Sequence, residues 1–96
     1  MQQLTIEEIK EKALPILKEA GIKRSSLFGS YVRGEQTDTS DIDLLVDFPK
    51  GKSLFDFIDV KLKLEESLGK KVDLVEYHLI KPRLKKYILP EQFPIL

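Results

Sequence analysis

Asp41 and Asp43 stand two residues apart at the mouth of an apolar run, DIDLLVDF, and Asp73 interrupts a second run, KVDLV. Carboxylates at such positions cost free energy unless something compensates them. Side chains alternate faces along a strand, so Asp41, Asp43 and Leu45 share one side, and Ile42, Leu44 and Val46 the other. Two residues along a strand separate alpha carbons by roughly 6.5 Å, near enough for both carboxylates to turn toward one cation. If the two runs are neighbouring strands, Asp73 joins them. Three close carboxylates repel and raise one another's pKa. Mg²⁺ relieves that repulsion, because it takes oxygen ligands and is commonly shared between carboxylates and substrate phosphates. Two such ions about 3.5–4 Å apart can clamp the attacking and leaving oxygens of an in-line phosphoryl displacement.

A second feature precedes the aspartates. Gly29-Ser30 follows the short segment IKRSSLF, read as a strand, and opens an expected helical turn. Backbone N–H groups at such a start, beside a small hydroxyl, can seat a phosphate. Glycine lets the phosphate come close, and Arg33 could add its charge. No Gly-Lys-Ser/Thr follows, so this is not a Walker A loop. Each piece also has an ordinary reading. Asp41 fits a strand entry, Asp73 an edge-strand charge, Ser30 a helix cap, and Arg33 a solvated side chain. Asp38 starts no EF-hand, since the required Gly and Glu are missing. The combination carries the argument.

The elements that must position these residues follow from spacing. Thr5 and Glu8 form a capping box for a helix over 5–20, with Pro15 inside it as a candidate kink and Gly21 as its stop. Strands are expected at 22–28, 41–48 and 71–76, a helical turn at 30–34, and a loop at 35–40. Ser53 caps a helix over 53–68, for which Leu54, Phe55, Ile58, Leu62 and Leu68 are read as the buried face. Pro82 suits the first turn of a last helix over 81–88. The tail PEQFPIL is apolar enough to dock on the body. His78 reads as a loop or cap residue, and the tyrosines as half-buried packing. Strands alternating with helices predict an α/β (α+β) fold, a small mixed sheet of three to four strands flanked by helices.

Composition sets limits. Ninety-six residues predict a single domain, 1–96. A chain this short buries roughly 60% of its unfolded surface, so an open groove that a partner could complete is expected rather than an enclosed pocket. Net charge is zero, against a dedicated nucleic-acid binder. Residues 1–48 carry 6 Lys/Arg and 9 Asp/Glu, whereas residues 49–96 carry 10 and 7. The basic excess gathers at Lys81, Arg83, Lys85 and Lys86, read as a solvated helix face. The chain has no cysteine, which excludes disulfides, zinc-thiolate sites and a Cys nucleophile. A polar N-terminus and the lack of a long apolar run predict no signal peptide, no membrane span and a cytoplasmic location.

The stretch GSYVRGEQTDTSDIDLLVDF resembles the signature of the DNA polymerase beta-type nucleotidyltransferase superfamily: Gly-Ser, ten residues, then Asp-x-Asp. KVDLV resembles that family's third-carboxylate strand. The chain is most similar to its small stand-alone members, the minimal nucleotidyltransferases. The resemblance implies transfer of a nucleoside monophosphate from a nucleoside triphosphate to a hydroxyl, with release of pyrophosphate. It implies that Asp41 and Asp43 bind two Mg²⁺ ions, that Asp73 binds the catalytic ion and helps deprotonate the acceptor, and that Gly29, Ser30 and, less directly, Arg33 hold the triphosphate. It further implies ATP as substrate and a HEPN-domain toxin as partner, with a tyrosine of that toxin as acceptor and this chain as antitoxin. Two other readings stay open. One is a non-catalytic antitoxin or scaffold that neutralises its partner by binding. The other is a homo-oligomeric transferase acting on a small alcohol. Acceptor, base preference and homo- or hetero-oligomeric state are not fixed by these residues.

Overall fold

A computed structural model of the chain describes residues 4–37 and 40–96. The first helix, α1 (Ile6–Glu19), is capped as its sequence dictates: Thr5 Oγ1 accepts from the Glu8 N–H (3.1 Å) and Glu8 Oε1 accepts from the Thr5 N–H (3.2 Å). Pro15 neither ends nor splits it. The proline lies on the exposed side, opposite Ile9, Ala13 and Leu17, which are buried.

Strand β1 (Ser25–Phe28) starts three residues later than its composition suggests. The cause is the helix before it. The Ile22 N–H bonds back to the Leu17 carbonyl (3.0 Å), closing the end of α1 instead of joining a ladder. Next come a single turn, α2 (Ser30–Arg33), and strand β2 (Ile42–Val46). The loop expected at 35–40 includes residues 38 and 39, which lie outside the described residues, as does the Asp38 considered for an EF-hand. Helix α3 (Leu54–Leu68) has a second capping box, with Ser53 and Asp56 exchanging bonds, and ends at Gly69. Strand β3 (Val72–Glu76) leads through a 3-10 turn to α4 (Pro82–Ile88), and the tail forms a short strand, β4 (Phe93–Pro94).

The sheet order is β3-β2-β1-β4. β1 runs antiparallel to both β2 and β4, and β3 runs parallel to β2, so the sheet is mixed. The parallel pair needs a crossover, which α3 supplies. One sheet face carries Leu27, Ile42, Leu44, Val46, Val72 and Leu74. With Ile9, Ala13 and Leu17 of α1 and Val60, Leu64 and Leu68 of α3, they form the core.

The buried side of α3 differs from the one read in the sequence. Leu68 is buried as expected, but Leu54 is 70% exposed, Phe55 83%, and Ile58 and Leu62 are exposed as well. The helix carries two apolar stripes at helical spacing. Phe57, Val60, Leu64 and Leu68 turn inward, and the other stripe faces solvent. Among the tyrosines, Tyr31 is fully buried and Tyr87 exposed; only Tyr77 has the half-buried position expected of all three. His78 lies in the exposed 3-10 turn after β3. Among the described residues, no helix is long and apolar enough to cross a membrane.

Candidate active site

Register brings the aspartates together. Asp43 pairs with Asp73 across the parallel strands and with Phe28 across the antiparallel ones. Directly paired residues point to the same side of a sheet. Phe28, Asp43 and Asp73 therefore form one row on the face away from the core. The next row on that face is Ser26, Leu45 and Val75. Asp41 precedes β2 and is exposed at the entry end of the row.

Gly29 closes the other flank, and its identity has a reason inside the chain. Its backbone sits at φ 81°, ψ −151°, a conformation essentially restricted to glycine. A Cβ there would lie 2.2 Å from Asp43 Oδ2 and 3.1 Å from its Cγ. The close approach that glycine permits here is, within the chain, that of the Asp43 carboxylate. Ser30 opens α2 and is half-buried. Its hydroxyl is not used as a helix cap.

The electrostatics of the row are those of an uncompensated site. The Asp43 carboxyl is pushed up from 3.8 to about 6, first by burial and then by the negative charges of Asp73 and Asp41. Arg33 opposes this, as the last of the causes. Its guanidinium is engaged elsewhere: Nε pairs with Glu35, and a terminal nitrogen lies 3.5 Å from Glu91 Oε2. A phosphate drawing on Arg33 would compete with those two carboxylates.

Mg²⁺ suits this donor set in kind. The groups are hard oxygen ligands, and a cation beside Asp43 would offset the burial and the neighbouring negative charges that push its carboxyl up. Among the described residues, no three His, Cys, Asp or Glu side chains already converge closely enough to hold an ion. Carboxylates from Asp41, Asp43 and Asp73 would hold such an ion jointly with the oxygens of a bound phosphate, the usual arrangement for Mg²⁺.

The site also contains residues that the sequence reading passed over. A cleft of about 350 Å³ opens between α4 and the open sheet face, with Asp73 at its edge. Phe28, Val75, Leu79, Leu84 and Ile88 give it apolar walls, and Lys81 and Arg83 lie on its lining. The spacing of Leu84 and Ile88 on α4, and the alternation that puts Val75 on the face of Asp73, are visible in the sequence. What joins them is the return of the chain over the sheet.

Comparison with known proteins places the chain in a family. Residues 7–92 match the family described as Nucleotidyltransferase domain. A chain from Methanocaldococcus jannaschii, provisionally named a protein adenylyltransferase, is 54% identical over 93 residues, covering 97% of this chain and 100% of that one. A solved structure described provisionally as a minimal nucleotidyltransferase superposes with a TM-score of 0.82 at 37% identity, covering 98% of this chain and 99% of the other. A toxin–antitoxin crystal structure with AMP-PNP is similar at a TM-score of 0.78 and 25% identity, over 91% of this chain and 72% of the matched chain. This chain belongs to the nucleotidyltransferase domain family.

Proposed function

We propose that this nucleotidyltransferase transfers AMP from ATP to a tyrosine hydroxyl of a HEPN-domain partner and acts as its antitoxin. The observation that carries the reading is the register pairing of Asp43 with Asp73, beside a glycine whose missing Cβ leaves room for the Asp43 carboxylate. The similar toxin–antitoxin structure with AMP-PNP and the adenylyltransferase name of the Methanocaldococcus relative support the choice of nucleotide and partner.

Each residue then has a task. Gly29 and Ser30 bind the β- and γ-phosphates through backbone N–H groups and the Ser30 hydroxyl. Asp41 and Asp43 orient the α-phosphate. Asp73 takes the proton of the acceptor hydroxyl as its oxygen bonds to the α-phosphorus. The bond from that phosphorus to the β-phosphate oxygen breaks, and pyrophosphate leaves. Mg²⁺, when bound, supplies positive charge to the phosphate oxygens and lowers the repulsion between nucleotide and carboxylates. Arg33 remains a candidate phosphate contact once freed from Glu35 and Glu91. The location proposed is cytoplasmic.

The test uses labelled ATP, Mg²⁺ and the HEPN protein encoded nearest this chain. Label should pass to the HEPN protein with the wild type and fall by about 10³-fold or more with Asp43→Ala, as loss of a group that positions charge in the transition state implies. Equal transfer by both proteins would sink the reading. A second reading, neutralisation by contact alone, is favoured by the solvent-facing stripe Leu54, Phe55, Ile58 and Leu62. Full neutralisation of the partner by an Asp41→Ala/Asp43→Ala double variant would select it.

A further inference from the structure

Helix α4 buries none of its residues, although it lies across an apolar cleft. Leu79 is 64% exposed and Leu84 42%. The chain's own side chains do not fill the space between α4 and Val75. That leaves a cleft of about 350 Å³, at the small end of the range for ligand pockets. Its one carboxylate, Asp73, sits at the edge that meets the catalytic row.

The position of this cleft relative to the proposed phosphate seat is informative. β1 reaches the row at Phe28 and leaves it through Gly29 and Ser30, on the side where Asp41 enters. β3 passes the row at Asp73 and continues in the opposite direction, to Val75 and the cleft. Gly29-Ser30 and the cleft thus lie on opposite sides of the Asp43–Asp73 pair. In an in-line displacement the entering oxygen approaches opposite the departing one. With pyrophosphate departing toward Gly29-Ser30, an acceptor oxygen entering from the cleft side meets that requirement.

We propose that the cleft under α4 is the acceptor subsite, and that Leu84 and Val75 select a phenolic hydroxyl there. This rests on the transfer reading above. The apolar walls suit a ring. A phenol carries its oxygen at the far end of that ring, where it extends past the walls to Asp73. A serine or threonine hydroxyl sits one carbon from its own backbone and offers these apolar walls no ring to hold. A phenol is also the weaker demand on a carboxylate base, since its pKa is near 10. Lys81 and Arg83 on the lining favour acidic residues beside the acceptor.

The test is the full chain with two probes, N-acetyltyrosinamide and AMP, followed through backbone amide NMR shifts. N-acetyltyrosinamide should shift Val75, Leu84 and Ile88, N-acetylserinamide should not, and AMP should shift residues near Gly29 instead. Leu84→Glu, on an exposed helix, should abolish the tyrosinamide shifts while leaving AMP affinity within about twofold, as a contact outside the nucleotide site requires. Leu84→Ala, a milder change, should weaken the shifts without removing them. In the transfer assay, Leu84→Glu should raise KM for the acceptor about tenfold or more, with KM for ATP unchanged, the size expected of an apolar pocket contact. AMP shifting the cleft residues, or KM for ATP rising in parallel, would assign the cleft to the nucleoside and overturn the proposal. Tyrosinamide shifts absent from the cleft would also overturn it. If wild type transfers nothing, the transfer reading fails, and the binding shifts still decide what the cleft holds.

Discussion

The two faces of the sheet are covered in opposite ways. On one, Leu27, Ile42, Leu44, Val46 and Val72 meet α1 and α3 and are almost entirely out of water. On the other, the row Phe28–Asp43–Asp73 has a partly open flank, and its cover includes α4, which buries nothing of itself. The same strands serve both, because alternate residues of β2 go to opposite sides. Burial on the first face holds the strands in register. That register is what holds two carboxylates side by side on the second. In a chain of this size the acidic row costs stability, and the core face opposite offsets it.

Substitutions that separate the faces should show this contrast most clearly. Leu44 is fully buried on the core face, and Leu44→Ala should lower the free energy of unfolding by about 2–5 kcal/mol. Val75, on the open face, is only part-buried, and Val75→Ala should cost less than about 1.5 kcal/mol. Urea unfolding of both variants gives the comparison directly. Equal losses would mean that the open face carries as much of the fold as the core.

Gly29 tests how the faces meet the acidic row, with Gly34 as its reference. Both have positive φ, but a Cβ at Gly34 would meet nothing within 4 Å, whereas one at Gly29 would strike Asp43. Gly34→Ala should cost about 1 kcal/mol and leave transfer intact, since only the left-handed backbone resists it. Gly29→Ala should cost about 1–3 kcal/mol in backbone strain and also displace the Asp43 carboxylate, so transfer falls with it. Thermal unfolding and AMP transfer, measured on the two variants together, sharpen the distinction. Equal transfer by both would break it.

What could be read from the sequence was whatever is settled locally. Both capping boxes lie within four residues, and Gly29-Ser30 and Asp41-x-Asp43 are fixed by spacing along one segment. The pairing of Asp73 with Asp43 was legible as a condition, because alternation puts each on a defined side once the strands are neighbours. The orientation of α3 was not legible. Its two apolar stripes have equivalent spacing, and only docking against α1 and the sheet chooses Val60 and Leu64 over Ile58 and Leu62. β4 was not legible either. Its two residues form a strand because the chain end is drawn to Ser25, whose carbonyl accepts from the N–H groups of Ile95 (2.9 Å) and Leu96 (3.1 Å). Pro94 cannot donate, which an edge strand tolerates. The cleft under α4 depends on the same kind of distant return.

The smallest effect expected is a pH dependence confined to the open face. With its pKa pushed up from 3.8 to about 6 in the folded protein, Asp43 holds its proton more tightly when folded. Between those values the folded state binds more protons than the unfolded one, so stability falls as pH rises through the window and is level above it. The carboxyl is only half-buried, so solvent screens the interaction and makes the loss smaller than the shift alone would give. Asp43→Asn removes the titration. In EDTA the variant should therefore unfold at higher urea than wild type at pH 7, with the gain shrinking below pH 6 and vanishing near pH 4. Adding Mg²⁺ should narrow the gap at pH 7, since an ion bound only by the folded wild type stabilises it by mass action. Leu44→Ala, by contrast, should lower the midpoint by a similar amount at every pH. A gain for Asp43→Asn that is the same at pH 4 and pH 7 would mean that charge on the open face does not oppose folding, and the contrast between the faces would then reduce to packing alone.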